Sequence, residues 1–144
     1  MTELTDFQRK ISAFLPKIEL RYCEPMAKHT SFRIGGGAEI MAFPKNGSEL
    51  AKLLKTSALL DCPFAILGAG TNVLAPDEGM SGLVICLKDT LSGMEQLDET
   101  RIRVMGGITM ARAAVFAAGL GLSGMEFAHG IPGTVGGGVY MNAG

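Results

Sequence analysis

The stretch "EFAHGIPGTVGGGVYMNAG", residues 126–144, places five glycines between Gly130 and Gly138. Glycine gives up the most backbone freedom on ordering and offers no side chain to pack, so such density weakens any helix or strand. A compensating need must exist, either a backbone driven to positive φ or one that must come within contact distance of something bulky. Pro132 and its neighbouring glycines oppose a helix across this run. Two readings stand. The segment is a flexible surface loop, or it packs inside with its N–H groups turned toward a flat or anionic ligand. Ile131, Val135, Val139, Tyr140 and Met141, interspersed among the glycines, favour packing.

A second glycine stretch, "LGAGTNVL", follows the short apolar run Phe64 to Leu67, which reads as a buried strand. A strand ending in Gly68, Ala69 and Gly70 presents successive free N–H groups, and Thr71 and Asn72 add side-chain donors. Such a turn is either an ordinary tight turn or a cradle for a phosphate that needs no lysine. A dinucleotide-binding fingerprint of the Rossmann type would need glycine at Val73 and a helix to follow. Pro76, Asp77 and Gly79 come instead, so that reading fails.

The chain is large enough to bury a core, with 144 residues, 47% of them hydrophobic and 19% charged. A formal net charge of -1 with scattered Lys and Arg makes no basic stripe, which argues against a nucleic-acid partner. Any anion must therefore be held locally. Cys23, Cys62 and Cys86 are widely spaced and form no C-x-x-C, so neither a disulfide framework nor a metal site is expected, and a reducing cytoplasm fits. Glu3 and Asp6 argue against a secretory signal, and "AAVFAAGLGLSGM" falls far short of the roughly 20 residues of a membrane helix. No membrane partner is expected.

Hydrophobic periodicity places the elements. "TDFQRKISAFL" reads as an amphipathic helix with a Thr5–Gln8 capping box, with Phe7, Ile11, Phe14 and Leu15 at helical spacing, ended by Pro16. "HTSFRIGGGAEIMAFP" reads as two strand-like runs broken by Gly35, Gly36 and Gly37. Ser48 is the expected cap of "ELAKLLKTSALL", with Leu50, Leu53 and Leu54 on one face. "GLVICL" and "RIRVMGG" read as strands. Thr109 is the expected cap of "MARAAVFAAGLG", whose Met110, Ala113, Ala114 and Ala117 make a small-residue face.

His29 and His129 have no carboxylate in motif spacing and are assigned to no metal. Asp77–Glu78 and Asp98–Glu99 fall in turn-like, solvated settings. Glu126, between Met125 and Phe127, is expected to accept backbone N–H bonds and brace the glycine loop.

"HTSFRIGG", then "LGAGTNVLAPDEGMSGLVI", then "GLSGMEFAHGIPGTVGGGVYMNAG" resemble, in order and spacing, the successive signatures of the UDP-N-acetylenolpyruvoylglucosamine reductase family. This is a bacterial cytosolic flavoenzyme family of cell-wall precursor synthesis. The resemblance covers residues 28–144, and Gly138 stands where the family commonly has alanine.

The resemblance implies an α+β fold: a two-subdomain FAD-binding domain of the vanillyl-alcohol-oxidase type, with the second subdomain incomplete. The implied organisation is a lead-in helix over 1–27, a first subdomain over 28–88 with a pyrophosphate loop at 68–72, and a second over 89–144 with a flavin loop at 130–138. The substrate domain would lie beyond. Gly68, Ala69, Gly70, Thr71 and Asn72 would hold the FAD pyrophosphate. Ile131, Pro132, Gly133, Thr134, Val135, Gly136 and Gly137 would line the flavin, with Asn142 close behind.

In the family NADPH reduces FAD, and the reduced flavin passes hydride to the enolpyruvyl group of a UDP-sugar, giving UDP-N-acetylmuramate. A serine general acid, an arginine and a glutamate complete the step. The family's positions for them lie downstream of "NAG", so none is expected among these 144 residues, and the chain alone is expected to be inactive. Ser31, Ser48, Ser123 and Glu126 are not promoted in their place. The competing readings are an FAD-dependent oxidase of the same fold and a non-catalytic nucleotide-binding module. Nothing in the sequence indicates an oligomeric state.

Overall fold

A computed structural model describes residues 3–144. The chain is a mixed α+β protein that divides into two compact units, one of Met1–Leu67 with Asn72–Cys86 and one of Gly68–Thr71 with Leu87–Gly144.

The first unit opens with helix α1, Asp6–Phe14. Its capping box forms as the sequence predicts: the Thr5 hydroxyl accepts the Gln8 N–H at 3.2 Å and the Gln8 side chain accepts the Thr5 N–H at 3.0 Å. The buried Gln8 amide also donates to the Glu39 carbonyl at 3.0 Å, which ties the helix to the sheet. Ile11 and Leu15 are buried as the periodicity requires, while Phe14 stays exposed.

Strands β1 (Glu19–Pro25), β2 (Gly37–Phe43), β3 (Phe64–Leu67) and β4 (Met80–Cys86) form one sheet in the order β1-β2-β4-β3. The last three are parallel and β1 is antiparallel to β2. Helix α2, Gly47–Leu59, connects β2 to β3. Alternation along β2 and β4 divides the apolar residues between two faces. Met41, Val84, Leu67 and Cys86 join Met26 and Ala75 in one cluster, and Ile40, Ala42, Leu83 and Ile85 lie on the other face. The β2–β4 register slips by one residue between Ala38 and Ile40, where Gly82 takes φ +81° and donates its N–H to the Glu39 carboxylate at 2.8 Å.

The second unit contains the hairpin of β5 (Met94–Gln96) and β6 (Ile102–Val104), helix α3 (Met110–Gly119), a single turn over Glu126–Gly130, and helix α4 (Val135–Tyr140). The Asp98 carboxylate accepts the Thr100 and Arg101 N–H groups, each at 2.9 Å, and so closes the hairpin. Thr109 caps α3 as expected. Met110, Ala113, Ala114 and Ala117 are its buried face, and Met110 and Ala114 pack with Ala128, Met125, Ile131 and Val135.

Four local expectations are corrected. The glycine run is not barred from helix, since Val135–Tyr140 forms α4 once Thr134 caps it. Asn46, not Ser48, caps α2, accepting the Glu49 N–H at 2.9 Å, so the helix starts two residues earlier than expected. On α2 the buried positions are Leu53, Thr56 and Ser57, and Leu54 is exposed. The run "HTSFRI" is not a strand. It follows the single turn Met26–Lys28 and turns back on itself, with Arg33 at φ +56° donating its N–H to the Thr30 carbonyl at 3.2 Å.

Candidate functional site

Strand β3 delivers the chain at Leu67 into the loop Gly68–Thr71, which no helix follows. Gly70 is buried and takes φ +67°, the left-handed conformation found in backbone turns that gather N–H groups around an anion. Among the described residues, the N–H groups of Ala69, Gly70, Thr71 and Asn72 donate to no carbonyl or side chain. A run of unpaired donors on a partly buried turn is costly unless something outside the chain accepts from them. These residues carry no ionised group, so attraction for an anion comes from backbone dipoles and the uncharged Thr71 and Asn72 side chains.

The second glycine stretch meets this loop within the same unit. The Thr71 hydroxyl donates to the Pro132 carbonyl at 3.4 Å across a separation of 61 residues. A Cβ on Gly133, which has φ +118°, would sit 2.8 Å from the Thr71 hydroxyl oxygen, and one on Gly68 would sit 2.7 Å from that of Thr134. Thr134 is only 4% exposed. Its hydroxyl accepts the Gly137 N–H at 3.2 Å, which starts α4.

A short backbone pairing fixes where α4 starts. Thr134 bridges Thr109 in antiparallel fashion, with Met110 N–H donating to the Gly133 carbonyl at 2.9 Å and Val135 N–H to the Ile108 carbonyl at 2.7 Å. Gly136 N–H donates to the Gly106 carbonyl at 2.9 Å, and a Cβ on Gly136 would lie 3.0 Å from that oxygen. The caps of α3 and α4 are thus side by side. Gly106 and Gly107 are positioning residues that sequence reasoning missed. A Cβ on Gly107 would fall on the Thr90 carbonyl, and the available signal was the double glycine between a strand and a capping threonine.

Of the expected site residues, Gly68, Thr71, Pro132, Gly133, Thr134 and Gly137 are linked by these contacts, with Ala69 and Gly70 between them. Ile131 and Val135 pack on the Met110–Ala114–Ala128 cluster. Asn72 is exposed and belongs to the first unit. Asn142 is exposed with φ +50° in the turn after α4, its N–H on the Val139 carbonyl at 3.2 Å. Val139, Tyr140 and Met141 present apolar surface to solvent.

Glu126 accepts the Gly124 N–H at 2.9 Å, so it braces the turn that precedes the glycine run. Its own N–H and that of Gly124 hold its carboxyl below the usual range. Among the described residues no cluster of His, Cys, Asp and Glu is built to hold a metal ion, and no helix is long and apolar enough to cross a membrane.

Residues 38–144 match the family model of the FAD binding domain. The UDP-N-acetylenolpyruvoylglucosamine reductase of Geotalea uraniireducens (strain Rf4) is 44% identical over 126 residues, which are 88% of this chain and 42% of that protein. The protein of the same name from Bacillus subtilis (strain 168) is 41% identical over 121 residues, 84% of this chain and 40% of its own length. The crystal structure of UDP-N-acetylenolpyruvylglucosamine reductase from Thermus caldophilus superposes with a TM-score of 0.62 at 30% identity, covering 89% of this chain and 43% of that one. The chain therefore spans less than half the length of these relatives.

Proposed function

The chain belongs to the FAD binding domain family, and from that premise we propose that it is the flavin-holding part of an NADPH-dependent reductase acting on an enolpyruvyl UDP-sugar. In this reading the unpaired N–H groups of Ala69 to Asn72 take the pyrophosphate oxygens of FAD. The backbone of Ile131 to Gly137 borders the flavin, and Asn142 stands behind it. Bound FAD supplies hydride transfer between NADPH and the substrate's double bond. The protein's own residues supply orientation and a closely packed wall.

One observation carries the proposal. The glycine turn at 68–71, which offers an anion N–H donors without a lysine, is tied directly to the second glycine stretch through Thr71 and Pro132. A cofactor with a diphosphate at one end and a flat ring at the other needs that juxtaposition. The names of the relatives support the UDP-sugar as substrate. Residues 1–144 contain the flavin loops, and the proton donor and substrate contacts are assigned to the whole protein.

A cytoplasmic location fits three cysteines that are not in disulfides, and small-molecule partners fit the absence of a basic stripe. The test is NADPH oxidation that depends on the enolpyruvyl UDP-sugar, assayed on the FAD-loaded whole protein. Turnover with release of UDP-N-acetylmuramate is expected. NADPH oxidation that is indifferent to the UDP-sugar and consumes oxygen would replace the reductase with an oxidase.

A further inference from the structure

We propose that Thr134 is a positioning residue whose hydroxyl sets the spacing between the two glycine loops, and that Gly68 is glycine in order to clear that hydroxyl rather than to admit a ligand. Gly68 is not in the left-handed region, so no positive φ excludes a side chain there. What excludes a side chain there is one atom. A Cβ at Gly68 would lie 2.7 Å from the Thr134 hydroxyl oxygen but 3.6 Å from its methyl carbon and 3.7 Å from its Cβ, both ordinary contact distances.

That oxygen has little freedom to yield. It accepts the Gly137 N–H at 3.2 Å as the cap of α4, and the Thr134 backbone is fixed by its bridge to Thr109. Swinging the hydroxyl away from Gly68 would release the cap, and moving the backbone would break the hydrogen bonds at Gly133 and Val135. The Thr134 side chain is buried between these partners, so its contribution to a ligand at Gly68–Thr71 or Ile131–Gly137 is indirect. It holds the two backbones at one separation.

The claim about flavin affinity rests on the proposed function, whereas the claim about the Gly68–Thr134 pair does not, and the experiment separates them. Four variants of the protein are compared with wild type: Gly68→Ala, Thr134→Ala, Gly68→Ala with Thr134→Ala, and Gly68→Ala with Thr134→Ser. Thermal midpoints are read without flavin. FAD affinity is then read at a temperature where circular dichroism shows every variant folded, so that a loss of affinity reports loop spacing and not unfolding.

Gly68→Ala is expected to lower the midpoint and to weaken FAD binding about tenfold or more, as overpacking of a fixed site does. Thr134→Ala alone loses the cap and weakens binding several-fold. The double variant with Thr134→Ala should be no worse than Thr134→Ala alone, because the obstructing oxygen is gone. The double variant with Thr134→Ser keeps that oxygen and should be as impaired as Gly68→Ala. Additive losses in the Thr134→Ala double variant, or a harmless Gly68→Ala, overturn the pairing. The rescue pattern in midpoints with unchanged FAD affinity across the variants overturns the positioning role. Failure of wild type to bind FAD refutes the proposed function, and the midpoints still decide the pairing.

Discussion

Thr71 and Pro132 join the two glycine loops through a single hydroxyl-to-carbonyl hydrogen bond of 3.4 Å. A bond this long contributes little by itself. Its importance is geometric, because it brings Thr71 against Gly133, where any side chain would both strain the backbone at φ +118° and strike the hydroxyl. Glycine at 133 is thus fixed by a residue 62 positions earlier in the chain, counting from 71 to 133.

Gly70→Val is expected to abolish tight FAD binding. Gly70 is buried at φ +67°, and a β-branched residue pays roughly 1–2 kcal/mol or more to enter that region before any clash is counted. The turn would flip out of it and scatter the N–H groups of residues 69–72. Equilibrium dialysis of FAD against the folded variant checks this, with an expected loss of about a hundredfold or more.

Thr71→Ala is expected to be milder. It removes one hydroxyl and leaves every backbone donor in place, so the affinity loss should correspond to one hydrogen bond, about 0.5–1.5 kcal/mol, or roughly two- to tenfold. Thr71→Ser should bind as wild type does. Isothermal titration of the three proteins with FAD measures both.

Gly107→Ala should be among the most destabilising single changes in the second unit. Its Cβ would fall on the Thr90 carbonyl, and Gly107 also donates its N–H to the Leu91 carbonyl at 3.1 Å, so the backbone is held from both sides. A loss of about 2–4 kcal/mol is expected from forced displacement of backbone. Urea unfolding should show a lower midpoint with an unchanged slope.

Acid stability should depend on Glu24. Its carboxylate meets the His29 ring nitrogen at 2.9 Å, and that hydrogen bond, with the charges of Lys28, His29 and Arg21, holds it below the ordinary glutamate range despite partial burial. A carboxyl depressed in the folded state stabilises above its unfolded value, about 4.3, and loses that contribution as the pH falls through the lower folded value. Thermal midpoints of wild type should therefore fall below about pH 4.3 more steeply than those of Glu24→Gln. Parallel pH profiles for the two proteins would contradict this.

The sequence made some of this legible and hid the rest for definite reasons. The position of strand β3 and the buried face of α3 could be read directly, because a short apolar run and a methionine with three alanines behind a capping threonine are local signals. Strand β3 is not the buried strand expected, however, since Phe64 and Ile66 are exposed. Helix α4 was hidden, since three of its six residues are glycine and intrinsic propensity argues against it. What holds it is the Thr134 cap and the bond from Gly136 to Gly106, and the latter spans thirty residues. Strand β1 was also missed, because its exposed and half-buried residues alternate without a strong apolar face and it ends in proline. Each glycine loop was visible as a candidate. Their meeting was not, because Thr71 with Pro132 and Gly68 with Thr134 are nonlocal contacts that no spacing rule reports.

Titration of the purified protein with FAD, followed by flavin fluorescence, tests the central claim most directly. Saturable binding of one flavin per chain is expected, with release of free flavin on denaturation and loss of binding in Gly70→Val. A folded wild-type protein that shows no saturation, or a Gly70→Val variant that binds as tightly as wild type, would contradict the assignment of the paired glycine loops to the cofactor.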